Sequence, residues 1–111
     1  MKVYSRGNLA YSVNFSLSDI KNNTNKFYIM QILESLRKKE ECWFYTRYGR
    51  MGLVGQSAES GPMTPDKAIE SYHAKSKEKH EKGYRKVEVN QNKSRNYYFK
   101  EKKNTFVESK L

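Results

Sequence analysis

The stretch that decides the fold spans residues 45–56 and reads Tyr45-Thr46-Arg47-Tyr48-Gly49-Arg50-Met51-Gly52-Leu53-Val54-Gly55-Gln56. Aromatic and β-branched residues before Gly49, and the apolar pair Leu53 and Val54 after it, are typical of two strands. A glycine inside such a pattern marks a bulge or a close backbone approach, so we predict a hairpin kinked at Gly49 and Arg50. Two roles are open for Arg47 and Arg50: solvated side chains, or guanidinium groups that bind phosphate bidentately.

The composition indicates one basic domain. The 111 residues carry a net charge of +10. Residues 1–74 hold ten Lys/Arg against seven Asp/Glu, a net of +3, and residues 75–111 hold twelve against five, a net of +7. Such an uneven basic excess is typical of a polyanion binder, although it also fits a merely solvated face. The 14% aromatic content distinguishes the chain from a disordered basic tail.

Cysteine and hydropathy patterns favour an intracellular protein. Cys42 is the only cysteine, so no disulfide framework forms within the chain. Its place beside Trp43 in a strand-like run predicts a buried small hydrophobic residue. No apolar run approaches the roughly 18 residues needed to span a membrane, so we expect no membrane association.

No catalytic, metal or cofactor site is indicated. His73 and His80 are seven residues apart on one helical face, about 10 Å along the axis, which is too far for two ligands of one metal. We therefore expect both on the surface. The zinc, nucleophile-triad, phosphate-loop and dinucleotide motifs are absent. The chain is not expected to be an enzyme by itself.

Apolar and polar residues alternate over residues 9–17, which predicts a half-buried strand. We expect the polar segment 1–8 before it to be flexible. A second strand is predicted over 27–36, with apolar residues on both faces and hence central in the sheet. A helix over 29–39 is the rival, but the tyrosine, phenylalanine and isoleucine content favours a strand. Third and fourth strands are predicted over 42–48 and 51–57, followed by a loop over 58–63.

After residue 63, the spacing of the apolar residues changes to the period of a helix. Thr64 is a candidate N-cap, Pro65 suits the first helical position, and Asp66 suits the first turn. Gly83 is a C-terminal stop signal, so the helix is predicted over 65–82 and across the sheet. Two short strands are predicted over 97–99 and 105–107. The result is a single α+β domain, from residue 9 to 111, in which an antiparallel sheet carries one main helix.

Three segments combine cations, flat side chains and amides, the mixture that nucleic-acid binding requires. They are Asn25-Lys26, Arg47-Tyr48-Gly49-Arg50 and Asn92-Lys93-Ser94-Arg95-Asn96-Tyr97-Tyr98. All three fall at loops or strand edges, where a rigid sheet presents binding residues. Each is also compatible with a solvated turn. Composition and spacing do not distinguish DNA from RNA or from an acidic protein.

Four motifs resemble those of the WGR domain, a module found next to the catalytic region of DNA-dependent poly(ADP-ribose) polymerases. They are Asn25-Lys26-Phe27-Tyr28-x-x-Gln31-Ile32-Leu33, Thr46-Arg47-Tyr48-Gly49-Arg50-Met51-Gly52, Gly55-Gln56, and Lys79-x-x-x-Gly83-Tyr84. They occur in order over most of the chain. One departure is that Tyr48 stands where the family has its signature tryptophan.

The resemblance implies a twisted antiparallel sheet with one crossing helix, and a function at DNA breaks. In the polymerase relatives the module holds the 5′-phosphorylated end of a broken strand and passes the binding signal to the ADP-ribosyltransferase region. Carried over to this sequence, the Asn-Lys pair of the family falls at Asn25 and Lys26, and its phosphate-binding signature arginine falls at Arg50. We predict Lys26 and Arg47 as further phosphate contacts. Tyr48 stacks on the terminal sugar or base, and Asn25 fixes the register.

Two further DNA contacts are expected in the basic C-terminal part, at Lys93 and at Tyr98, or at Tyr97 if the preceding loop differs by one residue. The resemblance includes no transferase region, so we expect the chain to act with such a region in cis or in trans. A nuclear location follows from the same resemblance. A protein-interaction module without DNA specificity and an RNA-binding module remain the alternatives.

Overall fold

The computed structural model describes residues 1–87. Residues 88–111, and with them the predicted strands 97–99 and 105–107 and the candidates Lys93 and Tyr98, lie outside the described residues. The elements are β1 (Lys2–Val3), β2 (Ser5–Arg6), β3 (Leu9–Ala10), β4 (Ser12–Asp19), β5 (Thr24–Glu34), β6 (Cys42–Arg50), β7 (Gln56–Met63), α1 (Pro65–Glu81) and β8 (Arg85–Lys86).

An antiparallel sheet with one helix across it confirms the predicted α+β class. The strand order is β7-β6-β5-β4-β8, and β1 pairs with the end of β5. All seven residues from 27 to 33 of β5 are buried, as predicted for a central strand covered on both faces. The rival helix is therefore wrong. The strand ends at Glu34, so Leu36 is 71% exposed rather than part of the sheet.

The N-terminal part is more structured than its polar sequence indicates. Val3 is buried in the core and pairs with Leu33 at the end of β5. The strand predicted over residues 9–17 is divided at Tyr11, whose amide donates to the carbonyl of Tyr4 and whose carbonyl accepts from Ile32. A two-stranded β2–β3 hairpin precedes it. The domain boundary at residue 9 stays a prediction.

Helix α1 begins where its capping signals predict. Thr64 Oγ1 accepts a hydrogen bond from the amide of Lys67 at 3.3 Å, and Pro65 occupies the first turn. Gly83 follows the helix with φ of +101°, a conformation that suits glycine because it has no Cβ. Ala68 is fully buried where the helix crosses β5 and β6, which fixes the helix on one face of the sheet.

The prediction of the fourth strand was wrong. Residues 51–55 form the turn, and β7 runs over Gln56–Met63, so it includes residues 58–63, where a loop was predicted. Glycine and proline, as at residues 61 and 62, are typical of loops. An edge strand tolerates them because it forms backbone hydrogen bonds to a neighbouring strand on only one side. All of its residues except Met63 are exposed, so no apolar alternation marks it in the sequence.

The predicted kink at Gly49 and Arg50 was also wrong, because β6 keeps its register through both residues and ends at Arg50, opposite Lys26. The close backbone approach expected at Gly49 is present. A Cβ on Gly49 would lie 2.8 Å from the Cα of Gly55, so the returning chain packs directly against the bare strand. Glycine at 49 and 55 thus permits a tight return between β6 and β7.

The core occupies both faces of the sheet. On the face toward α1, called the helix face, Phe15, Tyr28 and Met30 form one cluster, and Ile32, Cys42 and Ala68 belong to another. The opposite face carries Phe27, Ile29, Leu33 and Tyr45 with Val3. Cys42 is fully buried, as predicted, and burial raises the pKa of its thiol from 9.0 to about 11.

Candidate nucleic-acid interface

The pairing of β5 with β6 brings three of the predicted binding residues onto the helix face. Lys26 lies opposite Arg50, and Tyr28 lies opposite Tyr48 two residues further along. Side chains directly opposite each other in an antiparallel pair have Cβ atoms about 4.5–5.5 Å apart. Two exposed cations therefore stand side by side at the end of the sheet, with an aromatic pair next to them.

Tyr48 lies on a support of aromatic and cationic groups. Its ring stacks on that of Tyr28 with centroids 5.6 Å apart and an interplanar angle of 24°. Beyond Tyr28, the ammonium of Lys79 lies 4.2 Å from the Tyr28 ring centroid. One ring face of Tyr48 is thus covered by the protein, and the side chain is still 36% exposed. A ring held in this way can take a second flat group on its other face.

The surroundings of this aromatic pair include one hydrogen bond and two shifted pKa values. The hydroxyl of Tyr48 donates to Gln56 Oε1 at 3.4 Å, a bond that joins β6 to its register partner on β7. Burial lowers the pKa of Lys79, and the nearby cations Lys82 and Lys75 lower it further. Burial raises the pKa of the Tyr28 phenol, partly offset by its hydrogen bond with Thr46.

Asn25 and Arg50 line one groove at the same end of the sheet. The groove has a volume of about 410 Å³ and is completed by Asn23, Thr24, Met51 and Leu53. Asn25 Oδ1 accepts a hydrogen bond from Ser18 Oγ at 3.0 Å, and its carbonyl accepts from the amide of Met51 at 2.8 Å. Asn25 therefore joins the two adjacent turns beside the Arg50 side chain.

Arg47 lies apart from this group, although it precedes Tyr48 in the sequence. Successive side chains of a strand point to opposite faces, and Arg47 is on the face opposite α1, with its guanidinium carbon 5.5 Å from the ring centroid of Phe27. The structure thus brings Lys26, Tyr48 and Arg50 together on the helix face, places Asn25 in the groove beside Arg50, and separates Arg47 from this face. Strand alternation applied to residues 47 and 48 would have indicated this separation.

A second groove brings Tyr48 together with cations of α1. It has a volume of about 470 Å³ and lies between α1 and the β6–β7 edge. Its lining includes Tyr28, Phe44, Tyr48, Lys75 and Lys79. The two lysines are four residues apart and so share one helix face, a signal that was available in the sequence. The support of Tyr48 by Tyr28 depends on register, which sequence alone did not give.

Histidines and acidic residues form no ligand cluster in the described part of the chain. His73 and His80 are exposed, as predicted, and the ring of His73 lies edge-on to Tyr11 at 6.3 Å. Among residues 1–87, no group of three or more His, Cys, Asp or Glu side chains is arranged to hold a metal ion. The same residues include no helix that is long and apolar enough to cross a membrane.

Comparison with known proteins agrees with the motifs. A sequence profile of the WGR domain matches residues 11–93, most of the chain. The chain belongs to the WGR domain family. It is 40% identical over 78 residues to poly [ADP-ribose] polymerase 2 of Arabidopsis thaliana. The aligned residues make up 69% of this chain and 12% of that protein.

Two further relatives extend the comparison to animals. The human protein mono-ADP-ribosyltransferase PARP3 is 36% identical over 69 residues, or 62% of this chain and 13% of the relative. Poly [ADP-ribose] polymerase of Drosophila melanogaster is 41% identical over 56 residues, or 50% of this chain and 6% of the relative. The WGR domain described here thus corresponds to a small part of each relative.

Proposed function

We propose that this WGR domain binds DNA at strand breaks, recognises a 5′-phosphorylated end, and relays binding to an ADP-ribosyltransferase region in cis or in trans. The observation that carries the proposal is the register of β5 and β6, which sets Lys26 beside Arg50 and both next to the supported ring of Tyr48. Two adjacent cations suit a terminal phosphate with more than one charge. A ring with one free face suits the sugar or base next to that phosphate.

The remaining candidates take different places in this proposal. Asn25, which joins the two turns, holds the register of the bound end. Arg47 lies on the opposite face, so its part is a long-range charge contribution rather than a contact with the terminal phosphate. Lys93 and Tyr98, in the basic C-terminal part, are proposed as additional DNA contacts. A nuclear location belongs to the same proposal, since the proposed ligand of the domain is broken DNA.

An exposed apolar patch near Arg50 supports the proposed relay to another protein region. Four large apolar side chains at this end of the sheet are exposed: Ile20 by 92%, Met51 by 51%, Leu53 by 62% and Val54 by 68%. Grooves along Asn23, Thr24 and Asn25 join the Ile20 turn to the Met51–Leu53 turn. An apolar patch beside cations is a surface suited to a protein neighbour. A pure protein-interaction module is therefore the second candidate function.

Affinity for a nicked duplex separates these functions. Fluorescence anisotropy at low and physiological salt should show tighter binding to a nicked duplex than to an intact duplex of equal length, and weaker binding to single-stranded RNA. Changing Val54→Ser, in the apolar patch but outside the groove of Asn25 and Arg50, should leave nicked-duplex affinity within about twofold of the parent. Weak binding to every duplex at low salt would favour the protein-interaction module, and preference for the RNA would favour an RNA-binding module.

A further inference from the structure

The outer edge of β7 has the properties of a binding edge. In the part of the chain that the structure describes, β7 pairs with β6 on one side and with no strand on the other. Every residue from 56 to 62 is exposed. The pairing with β6 is regular from Gln56 to Ser60, and its one irregularity lies between Cys42 and Phe44, near the opposite end.

This edge has few of the features that protect natural edge strands. Lysines, prolines and bulges usually prevent an exposed edge from pairing with another chain. In β7, Pro62 and the irregularity at Cys42 and Phe44 affect only one end. Residues 56–60 contain no lysine and no proline, and Glu59 is their only charge. Lysine, proline and register irregularity therefore protect none of residues 56–60.

A groove flanks the edge on each face of the sheet, and the groove on the helix face is cationic. On the helix face, the groove of about 470 Å³ is bordered by Ala58, Glu59 and Ser60 of β7 and by Lys75 and Lys79 of α1. On the opposite face, a groove of about 240 Å³ is bordered by Ser57 and Glu59 and by Arg47 of β6. Side chains of a strand added to β7 would alternate between these two grooves.

We propose that β7 binds an extended acidic peptide segment of a partner protein by β-strand addition. The backbone of the segment pairs with residues 56–60, and its carboxylates face Lys75 and Lys79 in the groove on the helix face. Charge complementarity supports an acidic occupant, because Lys75 and Lys79 outnumber Glu59 in that groove and the chain carries +10 overall. This is a second binding surface beyond the proposed DNA function, and it adjoins Tyr48 through Gln56.

A backbone-dependent probe tests the proposal directly. The ¹⁵N-labelled full chain is titrated at pH 7 with an acetylated octapeptide of alternating glutamate and valine. We expect chemical-shift changes and slower amide exchange at residues 57–60. The same peptide with N-methyl groups on alternate residues keeps its charge but lacks the ladder donors. It should bind at least tenfold more weakly, and equal binding of the two peptides would overturn strand addition.

Protein variants test the charge component. Changing both Lys75→Gln and Lys79→Gln should weaken peptide binding at least threefold. The control Lys67→Gln, on the first turn of the same helix and away from the groove, should leave it unchanged. Equal losses in both variants would contradict the assigned grooves.

Two other occupants give distinct results, and either would overturn the proposal. If dilution of the protein alone shifts the amides of residues 57–60, the edge pairs with a second copy of the chain. If a nicked duplex shifts the same amides and displaces the peptide, the edge belongs to the nucleic-acid site. Binding of the peptide without any effect of the duplex on these amides supports a separate protein site, whether or not the duplex binds elsewhere.

Discussion

Tyr48 on β6 stacks on Tyr28 of β5, with ring centroids 5.6 Å apart and an angle of 24° between the rings. The two residues are direct register partners in the antiparallel pair. The smaller ring that replaces the signature tryptophan is therefore supported from below by a second, 94% buried tyrosine and a lysine. This support keeps the exposed face of Tyr48 oriented for stacking.

Changing Tyr48→Ala should weaken binding to a nicked duplex by roughly 5- to 150-fold, because stacking on one base or sugar is worth about 1–3 kcal/mol. Changing Tyr48→Phe removes only the hydrogen bond to Gln56 and keeps the ring, so its affinity should lie within about twofold of the parent. Anisotropy titrations measure both, and circular dichroism checks that the variants fold. Equal losses in the two variants would show that the hydroxyl, not the ring, matters.

Gly55→Ala should destabilise the fold more than Gly52→Ala. Both glycines have positive φ, +81° and +92°, which costs an alanine roughly 1–2 kcal/mol. Around Gly52 there is open space, whereas a Cβ on Gly55 would meet the Tyr48 backbone and lie 2.9 Å from the Phe27 ring. Overpacking adds roughly 1–3 kcal/mol. Urea unfolding at pH 7 measures the difference, and similar midpoints for the two variants would contradict the close approach.

Cys42 should make stability fall at alkaline pH. Burial raises the pKa of its thiol to about 11, while the unfolded chain ionises near 9.0. Since the unfolded state loses its proton first, the free energy of unfolding should decrease as pH rises from 9 towards 11, by at most about 1.4 kcal/mol per unit. The decrease between pH 8 and pH 10 should be smaller in Cys42→Ala, as measured by urea unfolding.

The same residue offers a chemical check. Because Cys42 is fully buried, iodoacetamide at pH 8 should leave it unmodified in the native protein and modify it in urea. Mass spectrometry counts the modified thiol. Rapid labelling under native conditions would show that the β6 end of the core opens readily.

The sequence allowed much of the fold to be predicted where local signals agree with burial. Thr64 and Pro65 marked the start of α1 to the residue, and the two-sided apolar pattern of β5 marked a central strand. Strand β7 was missed because its residues are exposed and include Gly61 and Pro62, so neither periodicity nor propensity marks it. Only its pairing with β6 makes it a strand.

The candidate site was predictable in composition but not in arrangement. Lys26 and Arg50 are 24 positions apart, and their meeting depends on the register of β5 and β6. Arg47 and Tyr48 are neighbours in sequence, yet the pleat sends them to opposite faces. The role of Tyr28 as the support of Tyr48 follows from the same register and has no local signal.

The most direct test of the central claim compares a nicked duplex with and without its 5′-phosphate, for the parent chain, Arg50→Ala and the matched control Arg37→Ala. Arg37 is exposed in the β5–β6 turn, at the opposite end of the strand pair. The phosphate should strengthen binding of the parent and of Arg37→Ala by roughly tenfold or more, since hydrogen bonds to a charged group contribute about 1.5–3 kcal/mol. In Arg50→Ala this gain should fall at least fivefold. Equal affinities with and without the phosphate in the parent chain, or a gain that Arg50→Ala leaves unchanged, would contradict recognition of the 5′ end at Lys26 and Arg50.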